Sequence, residues 1–144
     1  MSVEDFVPEV SDELDLGVDL STVPQQHAVP SGEYLVVLAD CSIESQKPEK
    51  GSGKFIKAVF EIEDDPDAKL ITHVMMIPSS SDKKRTANGR LRAIGDFYKA
   101  FNIPSSGAVR LSEYIGNRGW VTLKVEVSED YGEQNRVVKF IAGR

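Results

Sequence analysis

Flat aromatic rings and cations recur side by side in this chain, at positions whose spacing turns them the same way. Phe55 and Lys57 share one face of an alternating run, with Lys47, Lys50 and Lys54 crowded just ahead of them. Trp120 and Lys124 share a face of a second alternating run, and Tyr131 and Arg136 follow. Rings on which bases stack and cations that track phosphates are the two requirements for holding a single nucleic-acid strand without reading its sequence. Lys83, Lys84, Arg85, Arg90 and Arg92 form the densest basic cluster, spread over a loop and the start of a helix. Cations at a helix N-terminus oppose its dipole, so some of them are candidates to meet a ligand phosphate rather than to support the helix.

Catalytic chemistry finds less support. Gly51-Ser-Gly-Lys54 looks like part of a phosphate loop, but Pro48 stands where its first glycine belongs and Phe55 where Ser or Thr would hold magnesium. His27 and His73 are the only histidines, and neither has a Cys or Asp companion at metal-ligand spacing. Asp64, Asp65 and Asp67 read as an acidic, proline-containing turn. Cys41, the single cysteine, lies in an apolar run, so a buried structural thiol in a reducing compartment is expected, and no intrachain disulfide can form. The expectation is a protein without enzymatic activity, metal or cofactor.

The elements that must present these side chains follow from periodicity. Tyr34 to Ser45 is rich in β-branched and large apolar residues after a Pro-Ser-Gly turn, which predicts a long first strand. Lys47 to Gly53 is a loop by its turn residues. In Lys54 to Glu63, Ile56, Ala58, Phe60 and Ile62 face one way and Phe55, Lys57, Val59 and Glu61 the other. Leu70 to Ile77 makes a third strand. From about Asn88 the positions Leu91, Ile94, Phe97 or Tyr98, and Phe101 recur at helical spacing until Pro104. Gly119 to Val127 alternates again, predicting Val121, Leu123, Val125 and Val127 inward and Trp120, Thr122, Lys124 and Glu126 outward. A loop over 128–135 with Tyr131-Gly132 at its tip precedes a fifth strand, Arg136 to Ile141. Five strands with one helix between the third and fourth is the element order of an OB-type barrel, whose second and third strands and whose loops after strands one and four commonly face the ligand.

A net charge of −6 argues against such a ligand until it is mapped. Residues 1–31 hold Glu4, Asp5, Glu9, Asp12, Glu13, Asp15 and Asp19 with no Lys or Arg, whereas 32–144 is nearly neutral. The first 31 residues therefore read as an acidic arm, mobile or docked on something, that cannot fold alone. The remaining 113 residues read as one mainly β domain. No apolar run approaches the length of a membrane span, and the acidic start is unlike a signal peptide, so a cytoplasmic protein with no membrane contact is expected.

From Gly32 onward the sequence resembles a family of small phage-encoded single-stranded-DNA-binding proteins. The resemblance is carried by Gly32-Glu-Tyr34-Leu-Val-Val, by Gly53-Lys54-Phe55-Ile-Lys-Ala-Val-Phe60-Glu-Ile62, by Arg90-Leu-Arg-Ala-Ile94 with Phe101-Asn-Ile103, and by Gly116-Asn-Arg-Gly-Trp120-Val-Thr-Leu-Lys-Val125 with Asn135-Arg-Val-Val138. It implies an OB-fold that binds single-stranded DNA in phage replication or recombination, within the host cytoplasm. Bacterial proteins of this function typically carry an acidic partner-recruiting tail at the C-terminus. Here the acidic segment is N-terminal, which makes the arm the candidate contact for replication or recombination proteins. The competing expectation is a β-barrel module, interaction-mediating or virion-associated, whose outward aromatics meet protein. Self-association is compatible with either.

Overall fold

The structure, a computed structural model, describes residues 12–46 and 53–143. Its elements are β1 (Gly32–Ser45), β2 (Lys54–Ile62), β3 (Ile71–Met76), α1 (Lys84–Ala100), β4 (Arg118–Ser128) and β5 (Gly132–Ile141). The predicted order of five strands and one helix is present. All strand neighbours are antiparallel, in the order β3-β2-β1-β4-β5.

β1 organises the sheet because it has two partners at different heights. Its first half pairs with β4, from Gly32 opposite Leu123 to Val37 opposite Arg118. Its second half pairs with β2, from Val36 opposite Ile62 to Ser45 opposite Lys54, with an irregularity between Leu38 and Asp40. An extra residue at such a point bends a strand and increases its twist. The freed backbone of Leu38 is taken up by the chain entering β4, since Leu38 N–H donates to Asn117 O at 2.8 Å and Gly116 N–H to Leu38 O at 2.8 Å. In its hydrogen bonding the sheet is open, although the outer strands β3 and β5 approach, with the His73 ring edge-on to Phe140 at 5.4 Å. Burial pushes His73 below its usual pKa, helped by the charge of Arg136.

The core is an aromatic junction. Phe60 of β2 is fully buried, stacked on Phe101 at 5.2 Å and edge-on to Phe97 at 6.1 Å and Phe140 at 5.9 Å. α1 begins at Lys84, ahead of the predicted Asn88, because its first turn carries no large apolar residue to mark it and its N-cap Lys83 makes no side-chain cap bond. Its end is well marked. Asn102 adopts a left-handed conformation (φ 57°), and Ile103 N–H reaches back to Tyr98 O at 2.9 Å, the six-to-one bond of a Schellman cap. Gly119 lets this end dock on β4: a Cβ there would stand 2.8 Å from Ala100 O and 2.9 Å from the Phe101 ring.

Inward parity in β2 is as predicted, with Ile56, Ala58, Phe60 and Ile62 all buried. In β4 it fails after Leu123. Val125 is only half-buried and Val127 is exposed, because the β4–β5 hairpin shifts register between Thr122 and Leu123 and then runs out past the core. β5 also starts earlier than predicted, at Gly132 rather than Arg136, which shortens the loop to a tight hairpin with Ser128 opposite Gly132. A short 3-10 turn at Leu111–Tyr114, unsignalled by periodicity, buries Leu111 before β4. Cys41 is buried as expected, which pushes its thiol up to about 11, with Asp40 adding to the effect.

The chain approaching β1 is tied to the sheet at its last few residues. Val29 is buried, and the buried Asn135 of β5 clasps it from both sides, accepting from Val29 N–H and donating to Val29 O, each at 2.8 Å. His27 bridges to the β2–β3 connection, its N–H donating to Asp67 O at 3.1 Å and its carbonyl accepting from Lys69 N–H at 2.8 Å. Its ring meets Asp65 at 2.7 Å. That hydrogen bond raises the His27 pKa and lowers that of Asp65. The bridge's contribution is therefore fully present below the ordinary imidazole value of about 6.5 and is lost as pH rises through the raised His27 value. At the acid end it fades as pH falls through the depressed value of Asp65. Amide exchange at Lys69, corrected for intrinsic rate, should speed up across the His27 titration, and His27→Ala should abolish that step. A pH-independent protection factor would show that the backbone bonds alone hold the segment.

Candidate nucleic-acid interface

Cross-strand register sorts the predicted site residues. Because Ile56, Ala58 and Phe60 point into the core, Phe55, Lys57 and Val59 point out, and each lies in a row with β1 and β3. One row is Glu44, Phe55 and Met76; the next is Ser42, Lys57 and Val74; the third is Asp40, Val59 and Thr72. Phe55 is half-buried between its neighbours and Val74 is half-exposed, so the face offers an apolar floor beside a lysine. Lys54 stands exposed at the start of β2. Lys47 and Lys50 lie outside the described residues.

The floor continues toward the helix. His73 to Met76 of β3 face Arg85, Thr86, Gly89 and Arg90 of α1 across a shallow cleft of about 390 Å³. Arg85 is thus brought across from Met76 and Val74, the register partners of Phe55 and Lys57, a placement that sequence spacing does not reveal. Arg90 is committed elsewhere, donating to Asp82 at 2.9 Å. Asp82 also accepts from the Ser79 N–H and hydroxyl, and these bonds with Arg90 hold its carboxyl below its ordinary value. Lys54, Lys57, Lys83, Lys84 and Arg85 make no salt bridge among the described residues.

The other predicted residues form a separate group. Trp120 does face outward, opposite Leu35 of β1 and Ile141 of β5. Phe55, however, pairs with Glu44 at the far end of β1. From Leu35 to Glu44 the strand rises about 30 Å, with the irregularity between Leu38 and Asp40 lying between the two ends. Near Trp120, Lys124 and Arg136 both spend their charge on Glu126, at 3.0 Å each. These two cations, Lys124 first, depress the Glu126 pKa. Tyr131 tips the β4–β5 hairpin, largely exposed, while the Lys69 ammonium ties that hairpin to the β2–β3 connection by donating to the carbonyls of Tyr131 at 3.1 Å and Glu133 at 2.8 Å.

Among the described residues no three His, Cys, Asp or Glu side chains converge as a metal site requires. No described helix is long and apolar enough to cross a membrane. No protein-family model matches the chain, and no curated protein matches it in sequence.

Proposed function

We propose that this protein binds single-stranded DNA along the outer face of β2 and β3, without catalysis, as an accessory to replication or recombination. The observation that carries the reading is the outward row of Phe55, Met76 and Val74 beside Lys54 and Lys57, with Arg85 across the cleft from Val74 and Met76, none of these cations held by a carboxylate among the described residues. A ring for base stacking beside cations for phosphates suits an unpaired strand better than a duplex, whose bases are not available to stack. The strand order supports the OB analogy. In such a barrel the first strand pairs with both the second and the fourth, the helix follows the third, and the second and third strands carry the ligand.

The test is titration of a dye-labelled oligo-dT over a range of salt. Each neutralised phosphate on a single strand gives a log–log slope of about −0.7, so three to five engaged cations predict roughly −2 to −3.5. An absence of binding at low salt would reject the reading in favour of a protein-interaction module, and salt-insensitive binding would reject the phosphate contacts.

A further inference from the structure

The cleft between β3 and α1 gathers hydrogen-bond donors. His73 reaches it from β3, and Arg85, Thr86 and Arg90 reach it from successive turns of one face of α1. No Asp or Glu lines it. Arg90 is held by Asp82, whereas Arg85 has no salt bridge among the described residues. Gly89 leaves the space between the two arginines open, since nothing stands within 4 Å of where its Cβ would be.

His73 is the group whose needs the protomer leaves unmet. Its ring is half-buried and edge-on to Phe140, and neither nitrogen has a hydrogen-bond partner among the described residues. Leaving such a group unpaired costs free energy that an acceptor arriving from outside would recover. The charged groups around it are Arg136 of β5, itself tied to Glu126, and across the cleft Arg85 and the Asp82-bound Arg90; its register partner on β2 is Ala58. Burial first, then Arg136, holds its pKa below the ordinary value, so the free protein carries a neutral ring at neutral pH.

We infer, on the reading of the β2–β3 face as the DNA surface, that this cleft is its phosphate subsite, where one phosphodiester of the strand accepts from His73 and Arg85. A phosphodiester is negative and offers only acceptors, the complement of a guanidinium and of a protonated imidazole. The cleft is also continuous with the stacking row. Val74 and Met76 line it and are the register partners of Lys57 and Phe55, so a strand with a base on Phe55 carries a neighbouring phosphate toward it.

A phosphate there reverses the balance around His73. The imidazolium gains a partner, its pKa rises on binding, and the complex takes up a proton. Affinity therefore climbs as pH falls through the bound value of His73 and levels off below the free value. A tenfold gain between these limits corresponds to a rise of about one pH unit in the His73 midpoint.

The test is oligo-dT affinity of the full chain at fixed salt from about pH 8 to about pH 5, a range in which histidine titrates and thymine does not. It is read together with the proton resonance of His73, one of only two histidine signals. Affinity should tighten about threefold or more on acidification. His73→Gln, which keeps a donor but cannot take a charge, should flatten the profile, and His27→Ala should leave it as in wild type. Should His73→Gln fail to fold, the wild-type resonance decides: its midpoint should move up in saturating oligo-dT, and Arg85→Ala should shrink that movement. Binding with a flat profile, a profile that His73→Gln leaves unchanged, or a midpoint that DNA does not move would overturn the subsite while the β2–β3 face stood. No binding at any pH would overturn that reading and the subsite with it.

Discussion

Phe60→Ala should destabilise the protein by about 3–5 kcal/mol, as large-to-small changes at fully buried aromatics do. The expectation rests on position as much as on area. Phe60 touches Phe97 and Phe101 from the helix region and Phe140 from β5, rings that also touch one another, so its removal opens a void that three elements would have to close together. Packed interiors relax only partly around such voids. Urea unfolding should show the midpoint falling with little change in slope, and Phe60→Leu should recover much of the loss. A cost below about 1 kcal/mol would mean that the cluster collapses easily and does not fix α1 against β2. The proposed binding surface should weaken alongside, because Arg85 reaches β3 only while the helix is seated on this junction.

The elements were legible where burial is one-sided. β2 alternates cleanly, since one face meets the aromatic core and the other meets solvent, and that alternation alone turned Phe55 and Lys57 outward. In β4 the same rule overreached. Val125 and Val127 continue the alternation in sequence, but a register shift and a hairpin that outruns the core leave Val127 in solvent. α1 was visible from Ile94, Phe97 and Phe101, which meet the sheet, and invisible over Lys84–Ala87, where nothing apolar is spaced to show it.

The candidate site was half legible for a related reason. Outward direction is a local property, read from period two, whereas membership in one surface is a property of topology. Trp120 and Phe55 look alike in sequence, but the length of β1 and its change of partner from β4 to β2 set them apart. Conversely, Arg85 comes beside Val74 and Met76 through the packing of α1 on β3, and the Asn135–Val29 clasp joins positions far apart in the chain. No local pattern encodes either contact.

Phe55→Ala should lower affinity for oligo-dT by about 1–3 kcal/mol, the range for a ring on which a base stacks. Lys57→Ala should lower it less and reduce the salt slope by about 0.7, the signature of one lost phosphate contact. The two residues lie on adjacent rows of the same face and would serve the same stretch of strand, so the double variant should lose more than either alone, with a cost that need not be additive. Arg85→Ala should resemble Lys57→Ala if the strand continues from β3 onto α1. Trp120→Ala and Lys124→Ala are the controls: both lie on the outer face near the opposite end of β1, and Lys124 is already engaged by Glu126. Each should change affinity by less than about 0.5 kcal/mol, the usual range for surface substitutions away from a site. Stability should be close to wild type in all of these, since the substituted side chains face outward. If Trp120→Ala proved the most damaging while Phe55→Ala bound normally, the strand would run over β4 and β5, and the β2–β3 face would not be the binding surface.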